Sequence, residues 1–201
     1  TQKDSILAFN DENANFKPLP FTATRASTAT VVNKAGLLET VASGIPRVDY
    51  LSNTSGAYLL EPSSTNLITQ SEAFGNSYWI KSGASVVGGF ASPSASSPLG
   101  AFKLVTDNGV NLSSNLMFSV ITKAATSLTY TMSAFVKDAG HNKVTLYTRD
   151  HASSSNKAEV TFSLVDGSIT TAATQSGTFT NASALSSLLS DGYYKISLTF
   201  T

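Results

Sequence analysis

The sequence predicts a mainly β protein in two parts: an antiparallel sandwich or barrel over residues 81–201, preceded over 1–80 by an extended, irregular arm with short hairpins. Three observations predict it. From about residue 84 apolar and polar residues alternate with period two in segment after segment, the pattern of half-buried strands. Turn residues separate those segments: Asp107-Asn108-Gly109, Ala139-Gly140-His141-Asn142, Asp166-Gly167-Ser168 and Asp191-Gly192. Before residue 80 the apolar pieces are short and interrupted by proline, which cannot donate to a strand ladder.

Taken in order, residues 1–20 are polar and contain Lys17-Pro18-Leu19-Pro20, an extended segment because the residue before a proline avoids the helical region. Residues 30–41, TVVNKAGLLETV, read as a hairpin with its turn at Asn33-Lys34-Ala35-Gly36 and Gly36 available for positive φ. IPRVDYL and GAYLLEP are further short extended pieces, held to edges or strand ends by Pro46 and Pro62. Residues 67–79 have room for one or two helical turns around Ser71-Glu72-Ala73-Phe74. SPSASSP, residues 92–98, is a loop. The strands follow: AFKLVTD, NLMFSVI, LTYTMSAFVKD, KVTLYTRDH, AEVTFSLVD and YYKISLTF.

Alternation assigns their faces. Val144, Leu146 and Thr148 oppose Thr145, Tyr147, Arg149 and His151. Val160, Phe162 and Leu164 oppose Glu159, Thr161 and Ser163. Tyr194, Ile196, Leu198 and Phe200 oppose Tyr193, Lys195, Ser197 and Thr199. The first set of each pair builds a core; the second is a polar face with aromatics among hydrogen-bonding groups.

Composition narrows the function. Of 201 residues 41% are apolar, enough for a packed core, but only 13% are charged. Ser and Thr make up roughly a quarter, above ordinary usage. Thirteen basic residues balance thirteen acidic ones with no block of one sign, which argues against nucleic acid or an anionic membrane as partner. The absence of cysteine excludes disulfide staples, thiolate metal sites and thiol catalysis, and suits a cytosolic assembly site or a harsh exterior. No apolar run nears the roughly 18 residues of a spanning helix. The start, Thr1-Gln2-Lys3-Asp4, has no signal-peptide layout and no initiator Met, as expected of a processed product or a piece of a longer chain.

Four stretches resemble a module of tailed-bacteriophage tail fibres and minor virion structural proteins: RASTATVVNKAGLLETV from Arg25, PRVDY from Pro46, LLEPSSTNL from Leu59, and SEAFGNSYW ending at Trp79. The segments YTMSAFVKDAGHNKVTLYTRD and DGYYKISLTFT look like the jelly roll that follows it, which is similar to carbohydrate-binding modules. The resemblance implies a jelly-roll β-sandwich displayed from a docking arm. Its partners would be other virion proteins and its own copies, a homotrimer by analogy with fibres, and its place the virion, assembled in the bacterial cytoplasm. Strands beyond Thr201 are implied too, supplied by a longer chain or by a partner. The polar residues of the connector acquire a role: Glu61, Thr65 and Asn66 would satisfy backbone groups where no ladder does, Arg25, Arg47 and Asp49 would belong to the same structural connector, and Trp79 would anchor the start of the domain.

Candidate chemistry is sparse. His141 and His151 are read as surface residues, and no G-x-S-x-G elbow accompanies the many serines. Asp138, Asp150, Glu159 and Asp166 lie near strand ends, where carboxylates cap turns more often than they form a glycosidase pair. No transition-metal spacing occurs, and no cofactor is implied; calcium held by loop carbonyls with Asp107, Asp150 or Asp191 stays open. Sugar binding remains. Flat aromatics and planar hydrogen-bonding groups match sugar faces and hydroxyls, and Tyr147, Arg149, His151, Tyr193 and Lys195 supply both. The other reading is a solvated or protein-covered sheet, since Tyr and Thr are ordinary strand formers. Three functions stand: a non-enzymatic virion component, a glycan-binding adhesin or carbohydrate-binding module of a polysaccharide depolymerase, and a depolymerase fragment.

Overall fold

A computed structural model describes residues 8–10, 16–18, 24–52, 54–61, 64–106, 116–123 and 127–201. Among them every regular element but one is a strand; the exception is a single 3-10 turn at Ser190–Gly192. No helix among them is long and apolar enough to cross a membrane.

The N-terminal half is made of two-stranded ribbons. Strand β1 (Ala8–Asn10) pairs antiparallel with β2 (Phe16–Pro18). Strands β3 (Ala29–Val32) and β4 (Leu38–Val41) form the expected hairpin. Its turn closes as the sequence requires: Gly36 sits at φ 78°, and Asn33 Oδ1 accepts from the Ala35 and Leu37 amides at 3.0 and 3.1 Å. The two short pieces before and after Asn53 become β5 (Val48–Asp49) and β6 (Ala57–Tyr58), paired with each other. Strand β7 (Ile80–Ser82) pairs with β10 (Leu116–Phe118), and β8 (Ala84–Phe90) with β9 (Ala101–Thr106).

The C-terminal half holds two three-stranded antiparallel sheets that share one core. Strand β11 (Tyr130–Val136) belongs to the first sheet. The chain then crosses to the second and runs as a meander through β12 (Lys143–Arg149), β13 (Lys157–Ser163) and β14 (Ile169–Ser176). It returns to the first sheet as β15 (Ser183–Leu188) and β16 (Tyr194–Phe200), with β16 seated between β11 and β15. Leu146, Ala158, Val160 and Phe162 of the second sheet meet Ile196, Leu198 and Phe200 of the first. Ala158, Phe162, Ile196 and Leu198 are wholly buried, each on the face that alternation assigns to the core. Both sheets are small, and among the described residues neither closes into a barrel.

Three expectations change. Residues 67–79 contain no helix: amides of Ala73, Asn76 and Trp79 bond to the carbonyls of Gln70, Ala73 and Asn76, a succession of turns. Asn76 is the physical reason, because its side chain takes the Tyr78 amide at 2.8 Å and competes with a helical ladder. Strands β7, β8, β14 and β15 are not among the segments expected from the sequence. ITTAATQS and SALSSL bury little, so they carry no apolar alternation to read. Tyr193 does not face outward. It precedes β16, in the bend after the 3-10 turn, and its ring is buried.

That ring belongs to a second, smaller core in which Val32 of β3 meets Leu189 and Tyr193, flanked by Leu38, Leu51 and Ala101. Polar contacts surround it. Ser190 Oγ donates to the Gly36 carbonyl at 2.9 Å, and Tyr193 OH donates to the Ala91 carbonyl at 2.5 Å. The 92–98 loop completes the joint, since Leu38 bonds to Pro93 and Ala95 through its amide and carbonyl, at 2.8 Å each. The module of residues 24–61 is therefore bolted to the end of the sandwich.

Candidate functional site

Two groups of predicted residues can be placed. The connector residues come first, because they fix the N-terminal module. Arg25 clamps backbone: its guanidinium donates to the carbonyls of Ser27, Val41, Ala42 and Ile45 at 2.7, 3.0, 2.5 and 3.2 Å. A planar fork with five donors can serve four carbonyls at once; a lysine could not reach them together. Asp49 does the converse, accepting from the Val32 amide at 2.7 Å and the Leu51 amide at 3.0 Å. Arg47 and Glu61 form an ion pair at 2.8 Å that joins the chain entering β5 to the chain leaving β6.

The polar knot departs from expectation in part. Glu61 holds a side chain rather than backbone. Asn66 behaves as anticipated, accepting from the Ile68 amide at 3.0 Å. Thr65 is exposed, and its side chain makes no hydrogen bond among the described residues. Trp79 is half-buried; its Nε1 donates to the Gln70 carbonyl at 2.8 Å, and its ring lies 5.2 Å from that of Phe74. Phe74 in turn meets Phe102 of β9 edge-on at 5.8 Å. The tryptophan thus locks the turns before β7 onto the β8–β9 ribbon.

This module also carries an open depression of about 410 Å³, lined by Val31, Asn33, Glu39, Val41, Ile45, Pro46, Val48 and Tyr50. Beside it Ile45 is 54% exposed, and on the same module Leu60 is 90% exposed.

The second group is the set proposed for sugar binding, and the structure does not bring all of it together. Tyr147 and Arg149 project from the outer face of β12, two residues apart and so on one side. His151 is exposed in the following loop. Lys195 lies on the outer face of the other sheet, opposite Phe135 of β11, with the core between it and Tyr147. Tyr193 is excluded by its burial and by its bond to Ala91. Burial, then the charge of Asp191, raise the pKa of its hydroxyl above the usual 10.0.

Residues the sequence reading set aside take the vacated places. Register puts Glu159 opposite Tyr147 and Lys157 opposite Arg149, with Thr174 and Ser176 of β14 beyond them. Lys157 Nζ bonds to Glu159 Oε1 at 2.7 Å, and that hydrogen bond and charge hold the lysine pKa above its ordinary value. Thr145 and Thr161 share a hydroxyl–hydroxyl bond of 2.8 Å. The resulting platform carries one exposed ring, three cations (Lys143, Arg149, Lys157), one carboxylate and a row of threonines. The cross-strand partner of each residue was the missing signal; it depends on register, which two separate strand patterns leave undetermined.

The carboxylates are largely committed to turns. Asp138, Asp150 and Asp166 accept from the amides two residues on, at 2.7, 2.9 and 3.0 Å. Hydrogen bonds from Ser163, then from the Ser168 amide and hydroxyl, pull the Asp166 pKa down to about 2. Among the described residues no group of three or more His, Cys, Asp or Glu could hold a metal; Asp107 lies outside them. Comparison of the chain with protein-family models, curated proteins and solved structures finds no match.

Proposed function

We propose that this chain is a non-enzymatic structural protein of a tailed-bacteriophage virion, a tail fibre, spike or head fibre, that docks through residues 1–80 and displays the sandwich. One observation carries the reading: the residues shared with the phage module are fasteners. Arg25, Asp49, Arg47 and Glu61 rigidify a small module joined to the sandwich by its own core, and that module turns aliphatic groups, Ile45, Val48 and Leu60, to solvent. Exposed apolar groups on a rigid, irregular scaffold suit contact with other chains. Two three-stranded antiparallel sheets around one core support a β-sandwich as the displayed body; β12–β13–β14 run as a meander within one sheet, whereas successive jelly-roll strands alternate between sheets. The copies associate as a homotrimer.

The outer face of β12–β13–β14 supports a second role, adhesion to a host-surface glycan, which a carbohydrate-binding module of a depolymerase would share. Light scattering on the full chain tests the main reading. A trimer that dissociates on Leu60→Asp or Ile45→Asp supports it. A monomer at every concentration, or release of reducing ends from bacterial capsule by the chain alone, overturns it.

A further inference from the structure

The chain has three arginines, and two are committed to the N-terminal module, Arg25 to backbone carbonyls and Arg47 to Glu61. The third, Arg149, is exposed at the end of β12, and among the described residues its guanidinium meets no acceptor. It stands on a paired strand rather than a loose loop. The loop after it is pinned: the Asp150 amide bonds to the Asn156 carbonyl at 2.9 Å, and Asp150 Oδ1 takes the Ala152 amide. Asn156 Oδ1 also accepts from the Thr178 amide, tying this loop to the one after β14. A planar fork of donors on a fixed backbone, with no partner to displace, lowers the cost of binding an acceptor.

Its neighbours set the ligand's charge. Lys143, Arg149 and Lys157 face outward against Glu159, with Asp150 in the loop that follows Arg149, an excess of one positive charge on a chain whose net charge is zero. Glu159 is already engaged by Lys157. The hydroxyls of this face both donate and accept, so the side chains that set the preference are the charged ones, and their excess of cations favours an anionic sugar over a neutral one. Tyr147, 43% exposed beside Arg149, gives the apolar surface that a pyranose ring stacks on. A lone ring gives no run of stacking platforms for successive bases, so a nucleic acid is served poorly.

We infer that the outer face of β12–β13–β14 binds a carboxylate-bearing sugar of an acidic polysaccharide, with Arg149 clasping the carboxylate and Tyr147 underlying the ring. The inference rests on the adhesive role proposed above and adds the sign of the ligand's charge. The test titrates the full chain by NMR with polygalacturonate, with polysialate, and with polygalacturonate whose carboxyls have been reduced to alcohols. Shifts at Tyr147 and Thr161 with at least one acid polymer are expected, weakening with salt and vanishing for the reduced polymer. Arg149→Gln and Tyr147→Ala each weaken binding about 10-fold or more, with unfolding temperature as the check on folding. Equal binding of the reduced polymer, or an unaffected Arg149→Gln, refutes the charge while leaving adhesion standing. No binding to any of the three overturns both, and single-stranded DNA bound as tightly as the acid polymers overturns the carboxylate assignment.

Discussion

Replacing Val32 by alanine separates the joint from the sandwich. Val32 is 5% exposed and is the only β3 contribution to the small core with Leu189 and Tyr193. The change removes two methyl groups, worth about 1.6 kcal/mol at ~0.8 kcal/mol each. A residual cavity of roughly 40 Å³ adds about 1 kcal/mol at ~24 cal/mol per Å³. The sum, about 2.5 kcal/mol, is close to a 60-fold change in the equilibrium for opening the joint. Val32 does not touch the large core, so the loss falls on a sub-global opening in which the module leaves the sandwich end. Hydrogen exchange followed amide by amide is the assay. The Ser190 amide, bonded to the Gly36 carbonyl, and the Leu38 amide, bonded to the Pro93 carbonyl, both cross the joint and should exchange about 60-fold faster, while Ile196 and Phe162 in the large core keep their rates. Equal acceleration at all four sites would mean that module and sandwich unfold as one unit, and the two-core description would fail.

Three further outcomes follow from the same geometry. Arg25→Lys should lower stability by about 1–2 kcal/mol in urea unfolding, because four carbonyls lose a shared donor and some regain water; an unchanged midpoint would count against the clamp. Gly167→Ala should cost more than the roughly 1–2 kcal/mol of left-handed backbone alone, since φ is 72° and the new Cβ would lie 2.4 Å from the Tyr194 ring; a smaller loss would show that the β13–β14 turn relaxes freely. In an NMR titration the Asp166 carboxyl should have a midpoint near pH 2. Its folded pKa is depressed, so its contribution to stability is present above its ordinary 3.8 and is lost as pH falls through about 2. Ser163→Ala should move the midpoint upward, and a normal value in the wild type would refute the turn geometry.

Legibility in the sequence followed apolar contrast. β12, β13 and β16 could be read with their faces because Leu146, Val160, Phe162, Ile196 and Leu198 alternate with polar residues. β14 could not, because Ser, Thr and Ala at most positions give no contrast between inside and outside, and β15 could not, because its two leucines, Leu185 and Leu188, are exposed. The β3–β4 hairpin was legible through Asn33 and Gly36, whose turn chemistry is local. The candidate site was half visible: Tyr147 and Arg149 share a face by period two alone, whereas Lys195 was assigned beside them when it stands on the far sheet.

The sequence by itself determined a β protein with a packed core at its C-terminal end, the inward residues of its best strands and the turns between them, because period and turn preference act over a few residues. Tertiary structure alone decided which strands pair, that Lys157 and Glu159 complete the platform around Tyr147, and that Tyr193 turns inward to meet Val32. Those outcomes depend on contacts between segments up to 161 positions apart, Val32 to Tyr193. Local alternation fixes the side on which a residue stands, and only the fold fixes what stands opposite it.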